Sequence, residues 1–481
     1  MAETRLEPAI GLEVHVQLRT RTKLFCGDLA EYGAPPNTRV CPVCLGLPGA
    51  LPALNERAVE LAVRVALGLS STVQERSAFA RKHYFYPDLP GGYQVTQHAE
   101  PLATGGYLLL PDADGGKPLA VRIRSVHLEE DSGKSLHGRV PGATALDLNR
   151  AGVPLVEIVT EPDLRSPEQA RAFLQRLRQT LQYVGASDCD MERGSLRVDA
   201  NVSLRPAGSA ALGTRTEVKN LNSFSGVERA LRFEIERQGA LLAVGGRVEP
   251  ATLLWDAARG EARVLRAKEE GADYRYIPEP DLPPLVVTGE WLKRIRRDLP
   301  ELPAERAARF VRDHGLDPKH AEAVTATREL ADYYEAVARR TDPREAAVWV
   351  LGDFLAAVNT AGCDLDRFPV RPADLAELIE LLAAGILTRP AAKRVLARMA
   401  ETGKPPAQVV GEEGLHRTGD ATELEGWADE AVRGHPEEAA RWRAGETRLL
   451  DFFVGEVVRL SGGRADPHEA RAAVTARLEA R

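Results

Sequence analysis

Apolar and polar residues alternate along several stretches in the first half of the chain, as they do in half-buried β-strands. The strictest alternation runs from residue 10 to residue 18. One side carries Leu12, Val14, Val16 and Leu18, and the other side carries Glu13, His15 and Gln17. Because successive side chains of a strand point to opposite faces, this pattern predicts one face in a core and one face available for chemistry.

Three further stretches, residues 121–131, 196–204 and 214–218, repeat this pattern. Their polar residues include His127, Glu129 and the adjacent Glu130, then Arg197, Asp199 and Asn201, then Glu217 and, one residue beyond the last stretch, Lys219. A carboxylate and an imidazole two residues apart can hold one divalent cation or position one proton transfer. For any single strand, an ordinary solvated face is the alternative. Four such faces together favour a cradle that binds metal and phosphate.

Helical periodicity accounts for most of the remaining chain. Asn55 is predicted to cap one helix and Ser166 another. The proline-dense segment 273–284 is predicted to be a domain edge, because proline can continue neither a helix nor a central strand. From residue 291 onward the pattern is almost entirely helical, and the predicted helices include 320–339, 343–359 and a final helical segment 420–481.

The composition is that of a globular protein and excludes several classes. The chain has 481 residues, 44% hydrophobic residues and a net charge of -7, which argues against a nonspecific coat for nucleic acids. No apolar run approaches the roughly 20 residues that a membrane-spanning helix needs. The first eight residues resemble neither a signal peptide nor a transit peptide, so we expect a cytoplasmic protein with no membrane partner.

The five cysteines do not form the pattern of a disulfide framework. Cys41 and Cys44 form a C-x-x-C pair, and Cys26 precedes them at a spacing suited to one tetrahedral zinc ion. Asp28 is the candidate for the fourth ligand, because carboxylates also bind zinc. The alternative is a zinc-free turn held by hydrogen bonds and by Pro42.

Residues 81–94 combine cations, aromatic residues and turn residues. They include Lys82, His83, Tyr84 and Tyr86. This mixture is suited to a loop that stacks on a base and contacts phosphate groups. An aromatic cluster that seals the edge of a sheet is the alternative for each of these residues. Further along, Arg150 lies within residues 147–160, which are predicted to form a turn that leads into a buried strand.

Several longer runs of sequence resemble one family in the same order along nearly the whole chain. They are GLEVHVQL, CPVCLGLPG, RKHYFYPDLP, LEEDSGK, DLNRAGVPLVEIVTEPD, GSLRVDANVSLRP, TEVKNLNSF and DYRYIPEPDLPP. The chain thereby resembles GatB, the family of B subunits of aspartyl/glutamyl-tRNA(Asn/Gln) amidotransferase, in its bacterial type. That family uses ATP and glutamine to convert Asp-tRNA(Asn) or Glu-tRNA(Gln) into the amidated aminoacyl-tRNA.

The resemblance implies an α+β fold with three domains. A mainly antiparallel-sheet cradle, residues 1–292, would be followed by an all-α helical domain, residues 293–405, and an α-helical tail that docks tRNA, residues 406–481. The implied partners are the amidase (A) subunit, the small (C) subunit, and tRNA(Asn) or tRNA(Gln) charged with Asp or Glu. The matching aminoacyl-tRNA synthetase is a further candidate partner.

The chain departs from the family pattern at two places. Asp28 stands where zinc-bearing members have the second cysteine of a C-x-C pair, and this bears directly on the zinc site. Around Glu446 and Arg448 the tail is less basic than in lysine-rich relatives, so the tRNA contacts of the tail are left open.

Amidation of a carboxylate needs a better leaving group than oxide, and phosphorylation by ATP supplies one. Since two anions must then approach each other, catalysis should depend on positioning and charge neutralisation. We expect Mg²⁺ to be bound by Glu13, His15, Glu129, Glu130 and Glu217, with Asp199 and Asn201 as neighbours. Phosphate or carboxylate contacts are expected from Lys82, Arg150, Arg197 and Lys219, and substrate or ATP contacts also from His83, Tyr84 and Tyr86.

The chain has neither a Ser-Ser-Lys amidase segment nor a cysteine in a Gly-x-Cys-x-Gly elbow. We therefore expect a partner to supply ammonia. A noncatalytic tRNA-binding scaffold would need the aromatic residues and the knuckle but not the acidic strand faces. A ligase for a free acid would need the strand faces but no tRNA-docking tail. The archaeal-type paralogue would need a large inserted domain before the tail, and the sequence contains no such stretch.

Overall fold

The computed structural model describes residues 5–111, 116–267 and 274–480. Residue 273, which begins the proline-dense segment, and the predicted domain limits at residues 1 and 481 lie outside that part. The chain divides into two compact units, Met1–Leu302 and Pro303–Arg481. The division into domains at residues 292 and 405 stays a prediction.

The first unit is built on one large sheet. Its described strands are β1 Leu6–Gln17, β2 Thr72–Val73, β3 Arg76–Ser77, β4 Phe79–His83, β5 Tyr93–Gln97, β6 Ala103–Thr104, β7 Tyr107–Leu110, β8 Leu119–Glu130, β9 Lys134–Val140, β10 Ala143–Asp147, β11 Pro154–Thr160, β12 Leu196–Pro206, β13 Thr216–Leu221, β14 Ala251–Asp256, β15 Glu261–Ala267, β16 Ile277–Pro278 and β17 Leu285–Val286. The large sheet has the order β15-β14-β13-β12-β1-β11-β8-β6-β2, and β7 also pairs with β8. Every pair in it is antiparallel except β13 with β14.

Strand β1 occupies the centre of the large sheet, between β11 and β12. The predicted alternation is confirmed, because Leu12, Val14 and Val16 are at most 1% exposed whereas Glu13 and His15 are only partly buried. The apolar face of the sheet therefore belongs to the main core. The opposite face is left for the polar side chains.

The described residues of the first unit form the helices α1 Glu56–Gly68, α2 Pro167–Tyr183, α3 Phe224–Ala243 and α4 Gly289–Arg297. The predicted caps are confirmed, since the side chains of Asn55 and Ser166 accept backbone hydrogen bonds at the starts of α1 and α2. Sequence reasoning missed α3. Its buried face includes Glu234 and Gln238, which bond to each other and to Thr216. These polar residues interrupt the apolar stripe by which a helix is recognised.

A small sheet of order β16-β4-β5 lies beside β8. Residues 81–83, expected in a loop, belong instead to strand β4, and only 84–92 form the connection of a hairpin. The proline-dense segment supplies the edge strand β16. Arg81 holds that segment through two hydrogen bonds to the buried Glu279, at 2.8 and 2.9 Å. Proline is tolerated at such an edge because one side of the strand has no partner.

The second unit is helical throughout its described part. Its helices are α5 Pro303–His314, α6 Pro318–Val324, α7 Arg328–Ala338, α8 Pro343–Trp349, α9 Leu355–Ala361, α10 Pro372–Ala383, α11 Arg389–Thr402, α12 Pro406–Glu413, α13 Ala421–Gly434, α14 Pro436–Arg443, α15 Leu449–Leu460 and α16 Pro467–Glu479. A 3₁₀ turn spans Leu365–Arg367. The unit contains two separate hydrophobic cores, one within residues 310–415 and one within residues 424–478. A sheet domain followed by a helical region confirms the α+β class.

The structure corrects three predicted helices. The predicted helix 320–339 is divided into α6 and α7, because Thr327 caps α7 through its hydroxyl. The predicted helix 343–359 contains a π-helical turn, Val350–Phe354, between α8 and α9. The final segment is divided into α13 to α16, with Pro436 and Pro467 at the first positions of two of these helices. Across the described residues, no helix combines the length and apolarity needed to cross a membrane.

Adjacent leucines on β14 test the assignment of the two sheet faces. Leu253 is 3% exposed and Leu254 is 41% exposed. We expect Leu253→Ala to lower the free energy of unfolding by about 2–5 kcal/mol, because it removes buried methyl groups and leaves a cavity. Leu254→Ala is the matched control and should cost less than about 1 kcal/mol. Denaturant-dependent hydrogen exchange of β1 peptides measures both values, and equal losses would contradict the assignment.

Candidate active site and thiol knuckle

Three carboxylates surround one imidazole on the polar face of the large sheet. His15 Nε2 lies 3.4 Å from Glu129 Oε1, 3.6 Å from Glu157 Oε1 and 3.7 Å from Glu13 Oε1. These four residues, which we call the acidic cluster, come from β1, β8 and β11. Residues far apart in sequence therefore converge on one point of the sheet.

Strand pairing explains why the acidic cluster forms. His15 is directly opposite Glu157 in the β1–β11 pair, and Glu13 is directly opposite Asp199 in the β1–β12 pair. Side chains that are opposite each other in an antiparallel pair project to the same face at short distance. Glu129 lies across β11, where its partner is Leu155. A register shift of one residue would move these polar groups into the core.

Burial and mutual repulsion dominate the electrostatics of the acidic cluster. Burial, followed by the charge of Glu157, raises the pKa of Glu13 to about 8. Burial, followed by the charge of Glu129, raises the pKa of Glu157 to about 7, and burial raises the pKa of Glu129 to about 7. Burial, together with Arg197 and Lys82, lowers the pKa of His15 to about 3. The imidazole is therefore neutral near pH 7.

The acidic cluster fits a divalent cation. One ligand atom each of Glu13, His15 and Glu157 lies within 4.8 Å of the others. Glu129 Oε1 is buried and has no hydrogen-bond partner among the described residues, although Thr96 donates to its other oxygen at 2.9 Å. A neutral imidazole is a metal ligand, and buried carboxylates need a compensating positive charge. Oxygen ligands favour Mg²⁺, which commonly keeps several waters.

Lys219 links two more acids beside the acidic cluster. Its ammonium group is paired with Asp199 and lies 3.0 Å from Glu217 Oε1. Despite the opposing effect of burial, these two carboxylates raise the pKa of Lys219, so it stays charged. Thr252 also donates to Glu217, at 3.2 Å. Asn201 is directly opposite Glu217 in the β12–β13 pair.

Two arginines lie close to the carboxylate of the buried Asp131, which directly follows β8. Arg197 Nη2 donates to Asp131 Oδ2 at 2.7 Å, and Arg150 Nε lies 3.6 Å from the same oxygen. Gln17 donates to it as well, at 2.8 Å. Although burial opposes ionisation, Arg197 and Arg150 hold the pKa of Asp131 below its usual range. Asp131 therefore orients two cations at the edge of the acidic cluster.

Lys82 lies against two tyrosine rings and close to the carboxylates of the acidic cluster. Lys82 Nζ lies 4.8 Å from the ring centre of Tyr274 and 6.0 Å from that of Tyr84. Although burial acts against the charged form, Tyr276, Glu129 and Glu157 raise the pKa of Lys82. Its ammonium is therefore charged close to the acids.

The other predicted contact residues of this hairpin differ in their exposure. His83 Nδ1 contacts the carbonyl oxygen of Arg275 at 3.0 Å, and Tyr84 donates to Gln94 at 3.4 Å. Tyr86 is 61% exposed in the hairpin connection, next to Phe85, which is 97% exposed. The hairpin thus offers both an inward lysine and outward aromatic rings.

Glu130 lies apart from the acidic cluster, because adjacent strand residues point to opposite faces. Its carboxylate accepts a hydrogen bond from Val95 N at 3.0 Å. Burial raises its pKa to about 7 against the effect of that hydrogen bond. Glu130 instead lines a cavity of about 240 Å³ with Lys23, Arg81 and Glu279.

The cysteines form a second site, which we call the thiol knuckle: Cys26, Asp28, Cys41 and Cys44. One ligand atom from each residue lies within 4.8 Å of the others. Asp28 Oδ2 accepts from Cys44 Sγ at 3.3 Å and from Cys26 Sγ at 3.7 Å. Sulfur ligands on a tetrahedral zinc lie about 3.8 Å apart, given a Zn–S distance of about 2.3 Å. The described geometry therefore fits zinc, with the carboxylate of Asp28 completing the ligand set.

Lys23 supplies positive charge to the thiol knuckle from a fully buried position. Its ammonium donates to Arg39 O at 2.7 Å and to Cys44 Sγ at 3.4 Å. The hydrogen bond with Cys26, together with Lys23, lowers the pKa of Cys44 to about 6. Although burial opposes ionisation, bonds from Cys41 and Cys44 lower the pKa of Asp28. The hydrogen bond with Cys44, together with burial, raises the pKa of Cys26, and burial raises the pKa of Cys41. A zinc ion would therefore displace protons from these two thiols when it binds.

Two family models match this chain, one in each of its two units. Residues 8–293 match the model of the GatB/GatE catalytic domain, and residues 332–478 match the model of the GatB domain. The chain belongs to the GatB family. The first match includes the acidic cluster, the thiol knuckle and the aromatic hairpin, so the family assignment covers every residue of the candidate site.

Relatives of the GatB family are similar over nearly their whole length. A protein of Moorella thermoacetica is 48% identical over 464 residues, which cover 96% of this chain and 97% of the relative. Proteins of Carboxydothermus hydrogenoformans and Thermosynechococcus vestitus are 46% and 45% identical over 465 and 486 residues. These alignments cover 96% and 99% of this chain, and 96% and 97% of the relatives. Each relative is named as the B subunit of an aspartyl/glutamyl-tRNA(Asn/Gln) amidotransferase.

Within this member of the GatB family, the sequence-predicted residues form several groups. Glu13, His15 and Glu129 meet, whereas Glu217, Asp199 and Lys219 form an adjacent group and Glu130 lies elsewhere. Sequence reasoning missed Glu157 and the anchoring role of Asp131. Glu157 had a detectable signal, because it is the one acid in strand β11, whose other residues are all uncharged.

The raised pKa values predict that cation binding depends on pH. Below pH 7, Glu13 and Glu157 hold protons that a cation must displace, whereas His15 is neutral at all these pH values. We expect the affinity for Mn²⁺, as a probe for Mg²⁺, to rise at least about tenfold between pH 6 and pH 8. Calorimetry in buffers with different ionisation enthalpies should detect the released protons.

Two variants serve as controls for this titration. Glu13→Gln removes one displaceable proton and should weaken both the binding and its pH dependence. Glu261→Gln changes an exposed acid on β15 and should leave both unchanged. Affinity that is independent of pH, with no proton release, would contradict the assignment of the acidic cluster.

One substitution in the thiol knuckle should increase the affinity for zinc. Asp28→Cys should bind zinc at least about tenfold more tightly than the wild type, because a fourth thiolate is a softer ligand than a carboxylate. Competition with a chromogenic chelator measures the affinity. Cys44→Ser should lose the metal, and Cys363→Ser, outside the knuckle, should retain it. No zinc in any of these proteins would favour a hydrogen-bonded turn.

Proposed function

We propose that this chain activates the side-chain carboxylate of Asp-tRNA(Asn), Glu-tRNA(Gln) or both, and then converts it to the amide. The acidic cluster, bordered by Lys82, Arg150, Arg197 and Lys219, carries this proposal. It supports a site where ATP and a carboxylate meet, and the names of the relatives supply the tRNA substrate. The chain therefore acts as a carbon–nitrogen ligase within a glutamine-dependent amidotransferase.

The chemistry has two steps. The γ-phosphoryl group passes from ATP to a carboxylate oxygen of the aminoacyl group, which gives ADP and an acyl phosphate. Ammonia then attacks the carbonyl carbon, the bond to the phosphate oxygen breaks, and inorganic phosphate leaves. The nitrogen loses one proton and becomes the amide. The site has to bring charged groups together and exclude water from the acyl phosphate.

The residues of the chain divide this work. Glu13, His15 and Glu157, with the free oxygen of Glu129, would hold Mg²⁺, which supplies charge neutralisation on the phosphates when bound. Lys82 and Arg197 neutralise phosphate and carboxylate charge from two sides. Asp199 and Glu217 hold Lys219 at the border of the acidic cluster, and Asn201 lies directly opposite Glu217. Arg150 contributes a further cation from the turn after β10.

Ammonia has to come from elsewhere, since the chain lacks the sequence signatures of a glutaminase. The amidase (A) subunit, together with the small (C) subunit, is the proposed source, and charged tRNA with its synthetase is the proposed substrate complex. Zinc in the thiol knuckle is a proposed structural metal. We also propose that residues 293–405 form a helical domain and residues 406–481 a tRNA-docking tail. The two separate hydrophobic cores of the second unit support two helical domains, but the first core extends to Leu415, so the cores divide after residue 415 and not at residue 405.

Reconstitution with the amidase and small subunits tests the proposal. We expect His15→Ala and Glu217→Ala to bind charged tRNA within about twofold of wild type and to lose at least about 100-fold in ammonia-dependent amidation. ATP hydrolysis coupled to amidation should fall in parallel. Glu261→Ala, at an exposed position of β15, is the control and should amidate normally.

Two results would contradict the proposal in different ways. Normal amidation by His15→Ala and Glu217→Ala would make the acidic strands structural and the chain a tRNA-binding scaffold. Release of ammonia from glutamine by the isolated chain would overturn the inference that a partner supplies it.

A further inference from the structure

The turn that carries Arg150 is held by the loop that carries the thiol knuckle. Asn149, next to Arg150, accepts a hydrogen bond from Arg39 N at 2.8 Å and donates one to Pro35 O at 2.7 Å. Both partners precede Cys41 in the knuckle loop, residues 22–50. One amide side chain therefore spans two segments that are more than a hundred residues apart in sequence.

Asn37 reinforces this connection from the knuckle side. Its side chain accepts from Leu148 N at 2.8 Å and donates to Leu146 O at 2.9 Å. Its own backbone has φ of 59°, a left-handed conformation that asparagine adopts more readily than most residues. Asn37 N also donates to Asp147 Oδ1 at 3.2 Å, so this turn contacts the segment before Arg150 at three points.

The far end of the turn touches the thiol knuckle itself. Gly152 has φ of 84°, and a Cβ there would lie 3.4 Å from the Cβ of Cys44 and 3.5 Å from Lys23 Cδ. Its carbonyl oxygen accepts from Leu24 N at 2.8 Å, and its N–H donates to Asp131 O at 2.9 Å. Gly152 thus connects the knuckle loop directly to the residue that anchors Arg197.

The other contacts of Arg150 come from the segment that follows β8. Its guanidinium donates to Ser132 O at 3.0 Å and to Gly133 O at 2.6 Å, and it lies 3.6 Å from Asp131. The position of the guanidinium therefore depends both on these contacts and on where the turn places its backbone. A cation that has to meet a phosphate or carboxylate loses much of its value when displaced by about 1 Å.

We propose that Asn37 and Asn149 are positioning residues that transmit the order of the knuckle loop to Arg150. The proposal rests on the proposed function, in which Arg150 contacts phosphate or carboxylate. Neither asparagine is required to touch the substrate. They affect the reaction only through Arg150. A double-mutant cycle can detect this dependence, because each asparagine change should have little effect once Arg150 has been replaced.

The experiment uses the reconstituted heterotrimer and measures kcat and KM for ATP in ammonia-dependent amidation. We expect Asn149→Ala and Asn37→Ala each to lower kcat/KM about tenfold, and Arg150→Ala to lower it about 100-fold. In the Arg150→Ala background, either asparagine change should alter kcat/KM less than about twofold, because its route of action is already removed. Asn359→Ala, at an exposed position of α9, is the matched control.

Hydrogen exchange of the same complexes separates positioning from general damage. In Asn149→Ala, amides of residues 149–153 should exchange faster while those of β1 are unchanged. An equal tenfold loss with and without Arg150 would overturn the inference, and so would an unchanged kcat/KM in both asparagine variants. An Arg150→Ala enzyme with normal kinetics would remove the role of Arg150 and this inference with it. Absence of amidation by the wild-type complex would instead refute the proposed function.

Discussion

The structure depends on one electrostatic constraint, which is the burial of several carboxylates on a single face of the large sheet. Glu13, Glu129 and Glu157 lie within 3.7 Å of one imidazole, and they cannot all ionise without positive charge nearby. Cations on the adjoining strands supply positive charge, and the geometry of the acidic cluster fits a metal ion. Such an arrangement costs stability, and that cost is typical of functional sites.

The sheet can tolerate this cost because its other face is a well-packed core. Strand β1 is hydrogen-bonded on both sides, and its apolar residues are almost completely buried. Charged groups attached to such a strand have little freedom to separate. Around this rigid centre the hairpin with Lys82 and the turn with Arg150 are held by side-chain contacts. In many proteins, a rigid scaffold fixes the geometry of the site and the attached loops contact the ligand.

The candidate site was partly predictable because its residues alternate with apolar ones inside single strands. Glu13, His15, Glu129 and Lys219 were found in this way, as was the cysteine spacing of the knuckle. Glu130 was predicted to bind Mg²⁺ together with Glu129, but it lies apart from the acidic cluster because neighbouring residues on a strand point to opposite faces. The sequence pattern did not predict helix α3, because Glu234 and Gln238 occupy its buried face. Hydrogen bonds with Thr216 replace apolar packing there.

The sequence by itself determined the local structure: the alternation of β1, the caps of α1 and α2, the spacing of the knuckle cysteines and the family resemblance. Each of these is encoded within a few neighbouring residues or in runs of letters. Only the tertiary structure decided that Glu157 joins His15, that Asp131 holds Arg197, and that Asn149 reaches the knuckle loop. These contacts depend on the order and register in which distant strands pair. That pairing is set by burial over the whole sheet, which no local pattern contains.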